Sequence, residues 1–580
     1  MMVAIGFVAA ACGNGPTTTT VTGQKGGTLV MLGNGDVDHL DTASAYYTVS
    51  YAVERAYSRQ LVTYPTTADQ NKATAVVADM ATQVPTASNG GISADGLTYT
   101  FKIKSGVKWD ATPSRQVTAQ DVVLGFKRLC NPGPNAVGAP TYYEDTIVGF
   151  KDYCEPFFAL SATTASDMAA YINGHDISGI TTTGTDTVKF KLTRPASDFI
   201  NIMAMPFSSP APVEYLKYVP GDDTFNQNVI SDGPYKIVKY DPVKELDLDR
   251  NANWVQSTDT VRAAYVDHIK VTMGLSSDSI QQQIAAGTGD MEWDTGVPTA
   301  DLGQLLQTTP RDPRLVIGPP TAFNPYIVMN LQHGALKNVA VRQALEYAID
   351  KVAIAQFVGG LSINQPAHQI LWSGMAGYQA FDLYPTPNDK GDPAKTKSLL
   401  AAAGYPNGLT LTMIYRSTGN GPKETESYQA NLAAAGVTLK LVPIANGATF
   451  YTQYLQNPDA TKRGVWDLAA PGWIPDWFGN NGRSIISPLF DGRAYGPSSN
   501  DYGDYNSDAT NADIDNALQA KTTADANKYW HMADMQIMQD AVVIPVLVQQ
   551  TSVFHSSRVQ NFIFNLFQQQ GDITNIWLKQ

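Results

Sequence analysis

Apolar and polar positions alternate with a period of two in several short stretches of this chain, and between them the spacing shifts to that of a helix. The ordered part opens on "GTLVML", a short apolar strand. In "GLTYTFKIKSGVKWD", Tyr99, Phe101 and Ile103 alternate with Thr100, Lys102 and Lys104, the pattern of a half-buried strand. The next stretch, "VTAQDVVLGFKRLC", puts Val122, Phe126 and Leu129 on one helical face. Thr118 stands where an N-cap is needed, and Asp121 at N3 makes an approximate capping box. "DTVKFKLTRP", "VISDGPYKIVKYDP" and "AYVDHIKVTM" read as further strands. "VRQALEYAIDKVAI" predicts a single helix with Val341, Leu345, Ala348, Ile349 and Val352 on one side. "GDPAKTKSLLAAAGYPNG" carries both end signals of a helix: Asp392 caps it, Pro393 fits N1, Gly404 ends it and Pro406 blocks continuation. Near the C-terminus, "DANKYWHMADMQIMQD" predicts a helix and "AVVIPVLV" one buried strand. Strands and helices alternate throughout, so the fold class is α/β. No short-period repeat points to a solenoid or propeller.

The 580 residues exceed one ordinary core and suggest roughly three or four domain-sized units. A formal net charge of -13 and the lack of a Lys/Arg cluster exclude a broad nucleic-acid footprint. The apolar run "FVAAAC" resembles the end of a bacterial lipoprotein export signal, although no Lys or Arg precedes it. On that resemblance Cys12 is the lipid-attachment residue, 1–12 the signal and the Thr- and Gly-rich 13–26 a tether, and the chain is exported and anchored to the membrane surface. The apolar run is shorter than the ~20 residues that span a bilayer. Cys130 and Cys154 remain as an even pair, open either to a disulfide in an oxidising compartment or to two buried thiols.

Reactive motifs are sparse. There is no G-x-S-x-G elbow and no P-loop, and "GNG" at Gly33 to Gly35 lacks the third glycine of a dinucleotide fingerprint. The histidines at 39, 175, 268, 333, 368, 531 and 555 are scattered. "DYNSDATNADID" sets Asp504, Asn506, Asp508 and Asp515 at positions 1, 3, 5 and 12 of a calcium loop, but Ala509 replaces the turn glycine and position 12 is Asp. An acidic loop capping a helix accounts for it more simply. The expectation is a binding protein without cofactor or resident metal, not an enzyme.

"GWIPDW" concentrates aromatic surface and charge. Gly472 and Pro475 disfavour a regular element, which places Trp473, Asp476 and Trp477 on a bent loop.

The order of landmarks carries a family resemblance. "GLTYTFKIKSGVKWDATPSRQVTAQDVVLGFKRL", then "SDGPYKIVKY", "VRQALEYAIDK", "DPAKTKSLLAAAGYPNG", "WDLAAPGW" and "AVVIPVL" resemble family 5 of the extracellular solute-binding proteins, the dipeptide- and oligopeptide-binding cluster of ABC importers. The resemblance implies a two-lobed, type II periplasmic-binding-protein-like fold with an inserted subdomain. It puts lobe I at 27–65, 190–300 and 505–580, the insertion at 66–189 and lobe II at 301–504. It implies a cleft in which the loop around Gly472 pairs with an extended ligand and Asp476 holds its ammonium group, while Trp473 and Trp477 add cation–π attraction. Ala45, Tyr46 and Tyr47 resemble the opposing wall, and Arg416 and Asn330 are further cleft candidates. The implied partners are a small solute, most simply a peptide, and the permease subunits, with the receptor a monomer. Ala470 and Pro471 stand where oligopeptide binders often carry Arg, so an oligosaccharide stacked on the two indoles is the alternative ligand.

Overall fold

The computed structural model describes residues 23–579 except 134–139, 162, 446, 497–498 and 521; Cys12, the signal and most of the tether lie outside the described residues. Two five-stranded sheets organise the fold. The first runs in the order Met291–Glu292, Thr28–Leu32, His268–Thr272, Glu245–Arg250, Tyr235–Asp241. Thr28–Leu32 is parallel to both its neighbours, and Glu245–Arg250 is antiparallel to both of its own. The second runs Val437–Ile444, Leu409–Arg416, Leu468–Ala469, Tyr326–Met329, Val543–Pro545. Its parallel pair 409–416 and 437–444 is joined by the helix Gly421–Ala434, the crossover that parallel strands require.

A long antiparallel ribbon, Leu315–Phe323 against Leu547–Phe554, crosses between the sheets. At one end, Met291 bridges His555 and the Phe554 amide donates to Glu292 Oε1, tying the ribbon to the first sheet. At the other, Phe323 bridges Trp473 and the chain runs back into Val543–Pro545 of the second. The chain is thus two-lobed, with strands crossing at the junction.

A third unit is built on the sheet Thr98–Lys102, Thr187–Lys191, Ile180–Thr183. Tyr99 and Phe101 point inward while Thr98, Thr100 and Lys102 are more open, as the alternation requires. The helix Ala119–Arg128 packs on it, its capping box complete: the Thr118 side chain accepts from the Asp121 amide, and the Asp121 carboxylate accepts from the Thr118 amide. Phe126 is fully buried, with its ring 5.1 Å from Phe190 and 5.3 Å from Tyr143, both edge-to-face. Gly125 gives the helix its close approach to the neighbouring chain, since a Cβ there would lie 2.1 Å from the Ser209 carbonyl oxygen. Cys130 and Cys154 form a disulfide with Cα atoms 5.1 Å apart, inside the same core.

Three expectations are revised. Residues 341–354 form two helices, Val339–Leu345 and Lys351–Phe357, because Asp350 caps the second by accepting from the Ala353 amide. The stretch 541–548 is divided between Val543–Pro545 in the second sheet and the start of the crossing strand Leu547–Phe554. The helices Asp508–Gln519 and Thr523–Gln539, assigned from sequence to lobe I, bury Ile514, Trp530 and Ile537 in the core of the second sheet.

Candidate functional site

Loop 471–483 lies where the crossing ribbon, the inserted unit and the second sheet meet. Its two tryptophans belong to different cores. Trp473 is 8% exposed, packs in the core of the second sheet and donates its indole N–H to the Ser484 carbonyl at 2.9 Å. Trp477 is fully buried in the core of the inserted unit, donates to the Asn480 carbonyl at 3.1 Å, and meets the Tyr142 ring edge-on at 4.9 Å. Neither indole offers a free face to a ligand, which corrects the cation–π and sugar-stacking roles expected of them. They pin the loop to both halves instead.

The backbone at Trp473 is also committed. Its amide donates to Phe323 O and its carbonyl accepts from Phe323 N, each at 2.9 Å. The expected main-chain pairing with an extended ligand is therefore already made internally at this residue. Gly472 has Asn324 against it; a Cβ would meet the amide oxygen of that side chain at 2.3 Å.

Between these anchors Asp476 remains partly accessible. Its Oδ1 accepts from the Tyr46 hydroxyl at 2.7 Å and its Oδ2 from the Tyr142 hydroxyl at 2.5 Å. Tyr46 comes from the loop after the first strand of the first sheet, and Tyr142 from the short helix Pro140–Glu144 of the inserted unit. The carboxylate thus joins three separate parts of the chain. Burial pushes the Asp476 pKa up to about 6, against the pull of the two phenol hydrogen bonds. Both phenols are pushed well above their usual range, first by burial and then by that carboxylate.

Ala45, Tyr46 and Tyr47 separate by position. Ala45 is 1% exposed, so it is a packing residue and not a cleft wall. Tyr46 faces Asp476, and Tyr47 is 50% exposed. Asp38 shapes this loop by accepting from the Tyr46 amide at 2.7 Å and from the Ser50 hydroxyl at 2.5 Å.

Arg416 ends the strand Leu409–Arg416 half-buried, with its guanidinium 5.9 Å from the Phe450 ring centre. No ion pair within 4.0 Å engages it among the described residues, although Glu424 is close enough to feel its charge. It also acts electrostatically on Tyr47 and on Tyr502, which in turn feels Asp476. One neighbourhood therefore holds the carboxylates of Asp476 and Asp38, a cation without a carboxylate partner within 4.0 Å among the described residues, and the tyrosines 46, 47, 142, 451 and 502. Tyr142, Tyr451 and Tyr502 carry no motif, and the sequence reading did not include them.

Asn330 does not belong to this neighbourhood as a free group. It is fully buried, with Nδ2 donating to the carbonyls of Thr461 and Trp466 at 2.9 Å each and Oδ1 accepting from the Gln332 amide. The acidic loop is a helix start: Ser507 caps Asp508–Gln519, and Arg493 pairs with Asp515 at 2.7 Å.

The model of the bacterial extracellular solute-binding proteins, family 5 Middle, matches residues 75–497. The chain is similar to the di/tripeptide-binding protein 1 of Pseudomonas aeruginosa, 28% identical over 405 residues and 67% of each chain. It is also similar to heme-binding protein A of Haemophilus influenzae, 25% identical over 82% of this chain and 80% of that one. Among solved structures, the clavulanic acid biosynthesis oligopeptide binding protein 2 superposes with a TM-score of 0.84 at 24% identity, covering 96% of both chains.

Proposed function

The chain belongs to family 5 of the bacterial extracellular solute-binding proteins, and on that premise we propose that it captures a short peptide-like solute with a free amino group and hands it to an ABC permease. The observation that carries this reading is the Asp476 carboxylate, set between Tyr46 and Tyr142 where both lobes and the insertion meet. A primary ammonium placed there has a counter-charge and two phenol oxygens as acceptors. Water leaves as the halves close, so the pairing is made in a medium where a charge without a partner is costly. Arg416, without a carboxylate partner within 4.0 Å among the described residues, suits the other end of a zwitterion or an acidic side chain.

No covalent chemistry is required. The ligand touches both halves only when they meet, so binding shifts the population toward closure. Taking a 1:99 balance to 99:1 needs about 5.5 kcal/mol of differential affinity, within reach of two charge-assisted contacts and aromatic burial. Export, lipid attachment at Cys12, a monomeric receptor and docking of the closed shape onto permease subunits complete the proposal. Lobe I is assigned 27–65, 190–300 and the segment after about 550, with the insertion at 66–189 and 301–550 in lobe II.

Isothermal titration with trialanine and N-acetyl-trialanine tests the ligand class. The free amine is expected to bind at least tenfold more tightly (about 1.4 kcal/mol) than the acetylated peptide, and Asp476→Asn is expected to erase the difference. Equal binding of both peptides by the wild type removes Asp476 from ammonium recognition. Native mass spectrometry of the chain purified without denaturation names the ligand class directly.

A further inference from the structure

Arg483 stands at the start of the helix Arg483–Phe490, whose Ile485 and Ile486 belong to the core of the second sheet. Its own side chain leaves that core. It is 1% exposed and reaches into the inserted unit and the chain that follows it. Nη1 donates to the Thr146 hydroxyl at 3.2 Å and lies 3.5 Å from Asp198 Oδ2, while Nη2 lies 3.6 Å from Asp145 Oδ2. The guanidinium also sits 5.3 Å from the centre of the Tyr142 ring, the same ring whose hydroxyl holds Asp476. One side chain thus gathers four groups from the opposite side of the junction, and one of them is a ligand-site residue.

The neighbouring contacts across this junction are neutral or single. Tyr64 and Asn201 donate to the Phe478 carbonyl, Asn480 donates to Ser197, and Arg194 donates to the Leu518 carbonyl at 2.7 Å. Among these, Arg483 alone brings opposite charges together. Arg194, pushed down to about 10 first by burial and then by the Arg483 charge beside it, stays cationic and feels Asp198 and Asp145, but among the described residues it makes no ion pair within 4.0 Å with either, and its hydrogen bond goes to the Leu518 carbonyl.

We propose that Arg483 is a positioning residue: a charged latch that holds the inserted unit against loop 476–483, fixes Tyr142 over Asp476, and so sets how far the resting chain is closed before any solute arrives. In the closed form Arg483 and Asp198 are both out of water and neutralise each other. Removing the cation leaves the Asp198 carboxylate buried without its ion-pair partner, with only the more distant Arg194 charge, and the closed form is penalised while the open form, where water reaches the carboxylate, is not. The proposal rests on the two-lobed closing reading above but not on any particular ligand.

The test uses the full chain without ligand. Amide hydrogen exchange is followed by mass spectrometry in 141–149 and 476–483, with small-angle scattering for overall size. In the wild type both segments are expected to be protected. Arg483→Met is expected to speed exchange in both by at least about tenfold and to enlarge the radius of gyration, with exchange in the strand His268–Thr272 unchanged. Arg483→Lys keeps the charge and is expected to restore protection in part. Adding Asp198→Asn to Arg483→Met is expected to recover protection, since the stranded carboxylate is gone, an outcome that a simple packing role for Arg483 does not give. Should Arg483→Met fail to fold, Asp145→Asn and Asp198→Asn decide: faster exchange in 476–483 supports the latch and unchanged exchange overturns it. Wild-type segments already unprotected at rest, or a folded Arg483→Met chain indistinguishable from wild type, also overturn it. Because no solute is present, a failure here is distinct from a failure of the peptide reading.

Discussion

At the scale of single residues, position relative to the junction decides what each polar group does. Asp476 and Asn330 were both candidates on sequence grounds. One is partly accessible and has its oxygens accepting from two phenols, and the other has its amide nitrogen spent on the carbonyls of Thr461 and Trp466. The raised pKa of Asp476 has a direct consequence for binding. With a value of about 6, the carboxylate is almost wholly ionised at pH 7.5 and about one-tenth ionised at pH 5. An ammonium ligand binds the ionised form, so its affinity is expected to fall about tenfold between those pH values, as read by titration calorimetry. The stability of the unliganded chain responds with the opposite sign. A carboxyl raised above its unfolded value binds more protons in the folded state, so its contribution declines as pH rises from about 4 through 6. A flat affinity profile between pH 5 and 7.5 excludes Asp476 as the counter-charge.

At the scale of elements, local signals were reliable where they did not depend on distant partners. The caps at Thr118 and Asp392 and the proline at 393 stand where the sequence puts them. The single helix over 341–354 and the single strand over 541–548 did not survive. In each, an apolar run continues through a point where the backbone turns, and only a cap at Asp350 or a change of sheet after Pro545 marks the place. The helix Ala119–Arg128 is the best place to test the packing of the inserted unit. Phe126→Ala removes a ring in edge-to-face contact with three others and is expected to cost about 3–5 kcal/mol in denaturant unfolding. Gly125→Ala is expected to destabilise as well, for a steric reason: its new methyl meets the Ser209 carbonyl.

At the scale of the whole molecule, the inserted unit is a covalently stapled body that carries Tyr142 on one side of the candidate site. The Cys130–Cys154 bridge encloses Tyr142, Asp145 and Thr146, the residues that reach Asp476 and Arg483. Replacing both cysteines by serine is expected to cost about 3 kcal/mol, as measured by denaturant unfolding, by the loop-entropy argument, with the solute affinity falling alongside because the clamp loses its frame. Unchanged stability and affinity would show the bridge to be dispensable to both. The sequence by itself determined the α/β class, the caps, the alternating strands and the bent loop around Asp476, because each depends on residues within a few positions of one another. It also carried the family, through the order of its landmarks. Tertiary structure alone decided that Trp473 and Trp477 are anchors in separate cores, that the helices Asp508–Gln519 and Thr523–Gln539 pack in the core of the second sheet, and that Tyr142 and Arg483 meet across the junction. Those pairings join residues far apart in the chain, 334 positions for Tyr142 and Asp476, and nothing in either local stretch encodes what it will face once the chain has closed on itself.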